Sequence, residues 1–288
     1  MTRASDIRKT FRNHGLAPKK WMGQNLLADP LYLQKIVQSA SLEPGEIVVE
    51  IGAGLGVLTE ALVRQGTRVV AIEVDAGFFR VLEEKFAGQD AVELIHADAL
   101  EFDFRGLAHR IGKLRVVANL PYSISSRLIF VFHENRDVFR SLCILLQKEV
   151  AERFAAEPGT KDYGVLSVLL GISGVVDLEF DIPPKAFYPV PDVTSTFVRV
   201  TFPDPPPVAV RDNETLVRLV KAAFANRRKM LRNNLRNAPF ARNEPEIVSD
   251  AAEAANIDLN RRAETLTPQE FARFADAIHE RIGSTRET

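Results

Sequence analysis

Apolar positions along this chain follow two regimes. Between residues 46 and 202 they come as short dense runs, at 46–51, 68–72, 92–95, 114–118 and 141–146, separated by stretches of helical spacing. Runs of four to six residues rich in Val and Ile, closed by Gly, Asp, Glu or Asn, predict buried strands. Apolar character on both faces of a strand, alternating with helices, predicts an α/β fold with a parallel sheet. Two further β-like runs, at 175–180 and 195–202, are expected to complete the sheet with an antiparallel edge. Ahead of them, Asp29-Pro30 reads as an N-cap and first helical residue, starting a helix to about Ala40.

The second regime begins after Pro203-Asp204-Pro205-Pro206-Pro207, a cluster that behaves as a stiff extended linker. Beyond it Leu216, Leu219, Val220 and Ala223 share one helical face. Thr267-Pro268-Gln269-Glu270 forms a capping box opening a helix that Gly283 is expected to end. The expected organisation is a sheet domain over 1–204, with 1–28 as a basic N-terminal arm, and a small all-α domain over 205–288.

Composition changes this picture little: 46% hydrophobic and 26% charged residues in 288 are ordinary for a globular chain. No apolar run nears the ~18 residues of a membrane helix, and no signal core follows Met1. Cys143 is the single cysteine, which excludes an internal disulfide and fits a reducing compartment, so the cytoplasm is expected. Five scattered histidines without a cysteine set give no expectation of a metal. Nothing points to a dedicated interface, so a monomer is expected.

Charge changes the picture more. The net charge of −1 hides a local excess: from Thr215 to Asn243 there are eight basic residues and no acidic one. Arg227, Arg228, Lys229 and Arg232 form its densest part. Such a patch suits phosphate contacts, because ordinary surfaces mix both signs; a solvated helix face is the competing reading. The arm is also basic, with Arg3, Arg8, Lys9, Arg12, Lys19 and Lys20.

Candidate chemistry sits at the predicted strand ends, where open parallel sheets bind ligands. The first strand runs into Gly52-Ala53-Gly54-Leu55-Gly56. Glycines there let backbone approach a ligand, and the following helix N-terminus favours an anion. The spacing is not that of dinucleotide-binding loops, whose last glycine comes one residue later. It fits a ligand without pyrophosphate, such as S-adenosylmethionine. Glu73, ending the second strand, suits a ribose diol, and Asp98, past the third, can accept from an adenine amine. Taken singly, both also read as solvated strand-end carboxylates.

The fourth strand runs into Asn119-Leu120-Pro121-Tyr122. The Asn119 side-chain oxygen and the Leu120 carbonyl can each accept one N–H bond from an exocyclic amine. Pro121 restricts the backbone, and Tyr122 offers a face for a base.

With these residues the chain resembles the ribosomal RNA adenine N6-dimethyltransferases, and within them the small-subunit (16S) branch. The likeness runs from about Lys19 to Leu235. It includes Gly23-Gln24-Asn25-Leu26-Leu27, Glu50-Ile51-Gly52-Ala53-Gly54-Leu55-Gly56 and the Asn119 tetrad. It continues through the blocks Gln147 to Arg153, Pro158 to Gly164, Phe187 to Ser195 and Arg227 to Asn233. Leu26 departs from the family's usual Phe. The resemblance implies a Rossmann-like class I methyltransferase sheet with a helical RNA-binding domain. It implies that Asn25, Leu27, Gly52, Gly54, Glu73, Asp98 and Asn119 line the S-adenosyl-L-methionine site. It also implies that Asn119, Leu120 and Tyr122 hold a target adenine with Phe187 on its other face; for Phe187 a core position is the competing reading. The implied reaction dimethylates two adjacent adenosines in the 3′-terminal hairpin of 16S rRNA, on RNA or an assembling small subunit. Three readings compete: a large-subunit (23S) rRNA adenine methylase, a non-catalytic nucleic-acid-binding factor on the same fold, and a DNA adenine methylase, which lacks an evident target-recognition module.

Overall fold

In the computed structural model, which describes residues 4–18, 24–241 and 246–286, the apolar runs are strands of one sheet. Arg3, Lys19, Lys20, Trp21, Met22, Gly23 and Arg242 lie outside the described residues. After the helix α1 (Ala4–Asn13) and the two-residue strand β1 (Leu26–Leu27), α2 (Pro30–Ser39) starts where expected. The Asp29 carboxylate accepts from the Leu31 N–H at 2.9 Å, the N-cap bond that Pro30 at the first helical position accommodates.

The sheet strands are β2 (Ile47–Ile51), β3 (Arg68–Glu73), β4 (Val92–His96), β5 (Leu114–Asn119), β6 (Phe139–Gln147), β7 (Val175–Ile182) and β9 (Ser195–Thr201). A short β8 (Phe187–Tyr188) pairs with β1 instead. Sheet order is β4-β3-β2-β5-β6-β9-β7. Strands β2 to β6 run parallel and β9 pairs antiparallel with β6, the expected antiparallel element. Helices α3 (Val57–Arg64), α4 (Ala76–Lys85), α5 (Phe104–Ile111) and α6 (Ser125–Glu134) make the crossovers. From β2 the chain steps one way to β3 and β4, then returns to the other side with β5 and β6. The order therefore reverses between β2 and β5, which makes their carboxyl ends the switch point where such sheets bind ligands. Gly52 and Asn119 stand at those two ends. This is the Rossmann-like sheet that the resemblance implies.

The described chain divides into two compact units: 1–151 with 177–202, and 152–176 with 203–288. The proline cluster does mark a boundary. However, residues 152–176, expected in the sheet domain, belong with the helices. The cause is α8 (Val165–Ser173), whose Val168, Leu169, Leu170 and Ile172 are all buried. An almost wholly apolar helix needs cover all round, and α9 (Asn213–Ala223) and α12 (Pro268–Arg286) provide it. The remaining helices are α7 (Lys148–Phe154), which straddles the division, α10 (Leu231–Leu235) and α11 (Glu246–Ala254).

The capping box is present: the Thr267 N–H donates to the Glu270 carboxylate at 2.8 Å and the Glu270 N–H to Thr267 Oγ1 at 3.2 Å. At its other end α12 does not stop at Gly283 but runs on to Arg286. A glycine costs a helix only ~1 kcal/mol, too little to end one by itself.

Candidate functional site

The turn after β2 is built for close approach. Gly52 and Gly54 have φ of +73° and +58°, a region that side chains resist. A Cβ on Gly54 would lie 2.7 Å from Leu26 Cδ2, and one on Gly52 3.2 Å from Pro121 Cδ. Glu73, at the end of β3, fixes this turn: its Oε2 accepts the Gly54 N–H and its Oε1 the Asp75 N–H, both at 2.8 Å. Burial pushes the Glu73 carboxyl above its ordinary range, and those N–H bonds oppose the shift. Lys85 ties the far side of the turn, donating to the Leu55 and Gly56 carbonyls at 3.2 and 2.8 Å. Beneath it Glu50 is fully buried and accepts from Thr59 Oγ1 at 2.5 Å; burial drives its carboxyl up to about 8.

Across the switch point, Asn119 Nδ2 donates to the Asn25 carbonyl at 2.7 Å. A carbonyl only accepts, so this bond settles which end of the amide is nitrogen. The side-chain oxygen is left to accept from something else. Leu120 is buried, with no donor to its carbonyl among the described residues. Tyr122 is held by its hydroxyl, 2.5 Å from Ser195 Oγ on β9. Burial raises the Tyr122 phenol, so it stays neutral.

Two adjoining cavities open from these residues. The first, of about 330 Å³, is lined by Asn25, Gly52, Gly54, Glu73, Asp98, Asn119 and Leu120, all anticipated. The second, of about 490 Å³, is lined by Tyr122, Gln147 and residues 189–193; Gln24, Asn25 and Ser123 line both. Carboxylates at two strand ends, a glycine turn that a Cβ would crowd and apolar Val74 and Phe78 between them fit S-adenosylmethionine in the first cavity. A ribose diol can use the spare lone pairs of Glu73, and Asp98 is exposed to a base amine.

Two expected positions are corrected by one cause. Phe187 is 1% exposed and packs in the core, and Leu27 is buried beside it. Their strands pair Leu27 with Phe187 and Leu26 with Tyr188. Because side chains alternate along a strand, one pair turns inward and the other outward. Leu26, not Leu27, lines the first cavity. Tyr188, not Phe187, faces outward, against Phe11 and Arg8. Val74, Phe78, Ile124 and Arg127 also line the first cavity and were not anticipated. For Val74 a signal existed, since it directly follows a strand-end acid.

In the helical unit the basic block separates into two kinds of residue. Arg227 donates from Nε to Glu264 and from Nη2 to the Thr160 carbonyl, at 2.7 and 2.9 Å. It therefore braces the Pro158 to Gly164 block, where the Tyr163 hydroxyl also donates to the Leu266 carbonyl. Arg228, Lys229 and Arg232 are exposed. Asn234 Nδ2 stiffens the turn that carries them, donating to the Ala223 and Asn226 carbonyls. Lys148, on the sheet side, pairs with Asp181 at 2.6 Å.

Comparison with known proteins agrees with this geometry. Residues 16–279 match the family described as ribosomal RNA adenine dimethylase. A Geobacter metallireducens protein named ribosomal RNA small subunit methyltransferase A is 41% identical, covering 93% of this chain and 98% of its own. One of the same name from Magnetococcus marinus is 41% identical, covering 96% and 97%. Among solved structures, a dimethyladenosine transferase from Plasmodium falciparum superposes with a TM-score of 0.71 at 25% identity, over 86% of this chain and 95% of that one. The 23S rRNA methyltransferase ErmE shares the fold, with a TM-score of 0.61 at 23% identity over 88% and 100%. The family match takes in both cavities and both units, and on it the chain belongs to the ribosomal RNA adenine dimethylase family, as an S-adenosylmethionine-dependent rRNA adenine methyltransferase.

Proposed function

We propose that this chain dimethylates N6 of two adjacent adenosines in the 3′-terminal hairpin of small-subunit (16S) ribosomal RNA, during ribosome assembly in the cytoplasm. The observation that carries the adenine chemistry is the Asn119–Asn25 bond, which leaves the Asn119 oxygen as an acceptor beside the Leu120 carbonyl. The small-subunit target rests on the names of relatives aligned over almost their whole length.

Bound S-adenosylmethionine supplies a methyl group already activated on a sulfonium. The chain's own work is to bind and orient. The N6 lone pair is delocalised into the ring, so the amine is a poor nucleophile. Two acceptors on its N–H groups favour a pyramidal nitrogen and stabilise positive charge as it develops, the oxyanion-hole argument with reversed sign. Holding both reactants in place can supply roughly 7–11 kcal/mol of the barrier. The target base has to leave its stack, at a cost of about a few kcal/mol. Stacking on Tyr122, whose ring Ser195 anchors, returns about 1–3 kcal/mol. The loop at 189–193 supplies the contact first assigned to Phe187. Arg228, Lys229 and Arg232 hold RNA phosphates from the helical unit.

Incubating the protein with labelled S-adenosylmethionine and, in parallel, unmethylated small subunits or unmethylated large-subunit RNA tests this. Label is expected on two adjacent adenosines of the 3′-terminal hairpin. Label on large-subunit RNA instead would support the 23S reading, and none on any RNA the non-catalytic one.

A further inference from the structure

The helix α1 takes no part in the chemistry above, yet it rests on the elements that build the site. Its Ile7 and Phe11 are buried against Leu55 of the glycine turn, Phe78 of the first cavity, and Tyr188. The Phe11 ring lies 6.0 Å from Phe78 and 6.2 Å from Tyr188. At about 100° per residue, Arg8 and Arg12 fall on one flank of this buried stripe, Asp6 and Thr10 on the other, and Lys9 opposite it, next to Arg12. The docked helix sorts these flanks by direction. Asp6, Thr10 and His14 face Val57, Glu84 and Lys85 across a cavity of about 310 Å³. The Arg8 guanidinium instead lies over the Tyr188 ring, 5.3 Å from its centroid. Tyr188 directly precedes the loop that lines the second cavity.

Arg8, Lys9 and Arg12 are exposed, and among the described residues no carboxylate pairs with any of them. Three arginines of the same unit are neutralised, Arg105 by Asp137, Arg110 by Glu93 and Arg115 by Glu46, whereas those of α1 are not. Three cations without a carboxylate partner among the described residues, Arg8 of them lying over the residue that precedes the second cavity's loop, carry a positive potential that suits an anion.

We propose that the Arg8 and Arg12 flank of α1, with Lys9 on the adjoining outer face, is a phosphate-contact surface, which grips the RNA backbone next to the adenosine extruded into the second cavity. The inference rests on the function proposed above and adds to it where the strand runs. Phosphate contacts set register without reading sequence. Cations in the unit that holds the cavity set register at the reacting base itself. Docking through Ile7 and Phe11 makes this grip rigid against the glycine turn.

The test compares wild type with the full-length triple variant Arg8→Ala, Lys9→Ala, Arg12→Ala, keeping Ile7 and Phe11. Binding and methylation of unmethylated small subunits are measured between 50 and 200 mM salt, alongside S-adenosylmethionine affinity. Each lost phosphate contact should lower the salt slope by about 0.7–0.9, so the triple variant should lose about two units or more. KM for the subunit should rise about tenfold or more near 150 mM salt, with kcat and cofactor affinity nearly unchanged. Arg8→Lys with Arg12→Lys should retain most of the wild-type slope, because charge and not shape is required. An unchanged slope and KM in the triple variant, while wild type binds and methylates RNA, overturns this inference alone. A matching fall in cofactor affinity also overturns it, since α1 would then act only by bracing the glycine turn. A wild-type protein that modifies no RNA would remove the proposed function and this inference with it.

Discussion

Each end of the seven-stranded sheet is hollowed by a cavity of similar size, about 330 Å³ beyond the carboxyl ends and about 260 Å³ at the amino ends. Both contain ionisable side chains, yet they differ in what holds them. At the amino ends Arg110 and Glu93 pair with each other at 2.7 Å, both half-exposed. At the carboxyl ends the polar groups are held by backbone. Glu73 takes the N–H groups of Gly54 and Asp75, and the Asn119 amide nitrogen is tied to the Asn25 carbonyl. A mutual ion pair on flexible stems satisfies itself. A side chain anchored by backbone keeps lone pairs aimed at a fixed place. Volume and charge are therefore poor guides to a site; anchoring at the end where the strands point is the better one.

The strongest way to break this comparison is Asn119→Ala. It should lower methyl transfer about 10²–10³-fold while cofactor affinity changes little, in single-turnover and equilibrium-binding assays. Equal losses in both would mean that the Asn119 oxygen has no special part in transfer. Glu50→Gln comes next. Its carboxyl, near 4.5 when unfolded, is about 8 when folded, so over that window the unfolded chain has lost a proton that the fold retains. Wild-type stability should fall as pH rises from about 4.5 to 8 and level off above, a total on the order of a few kcal/mol. The variant should lack this decline, so its advantage in denaturant titrations should grow with pH.

Glycines at the two ends then sharpen the contrast. Gly54→Ala should weaken cofactor binding about tenfold or more, since its Cβ meets Leu26 as well as a positive φ. Gly112, at the amino end, has φ +89° and open space around it. Gly112→Ala should cost about 1–3 kcal/mol of stability and leave methylation intact. The smallest effect is expected from Glu93→Ala, with activity and melting temperature both unchanged within error, because an exposed pair contributes little.

The sheet was legible because parallel strands buried on both faces leave dense apolar runs, and because glycine, acid and asparagine punctuate their ends. Gly52, Gly54, Glu73, Asp98, Asn119 and Leu120 could be placed from that alone, since each is the last residue of a strand or lies within three residues of one. Leu27 and Phe187 could not. Each lies in a two-residue strand, and only their pairing sets which neighbour faces inward. The same limit applies to residues 165–173, assigned to the sheet domain because their packing on α9 and α12 was not visible, and to Arg227, whose charge was visible but not its ties to Glu264 and Thr160. The helix α1 looked like a basic arm because its anchors, Ile7 and Phe11, are few among polar residues.

The bond from the Asn119 amide to the Asn25 carbonyl is made before any RNA arrives. Under the function proposed here it therefore acts as a filter on the base. Guanine and hypoxanthine carry a carbonyl where adenine has its amine, and would set lone pair against lone pair there. An inosine in place of either target adenosine should be turned away by repulsion, leaving a neighbouring adenosine open to modification.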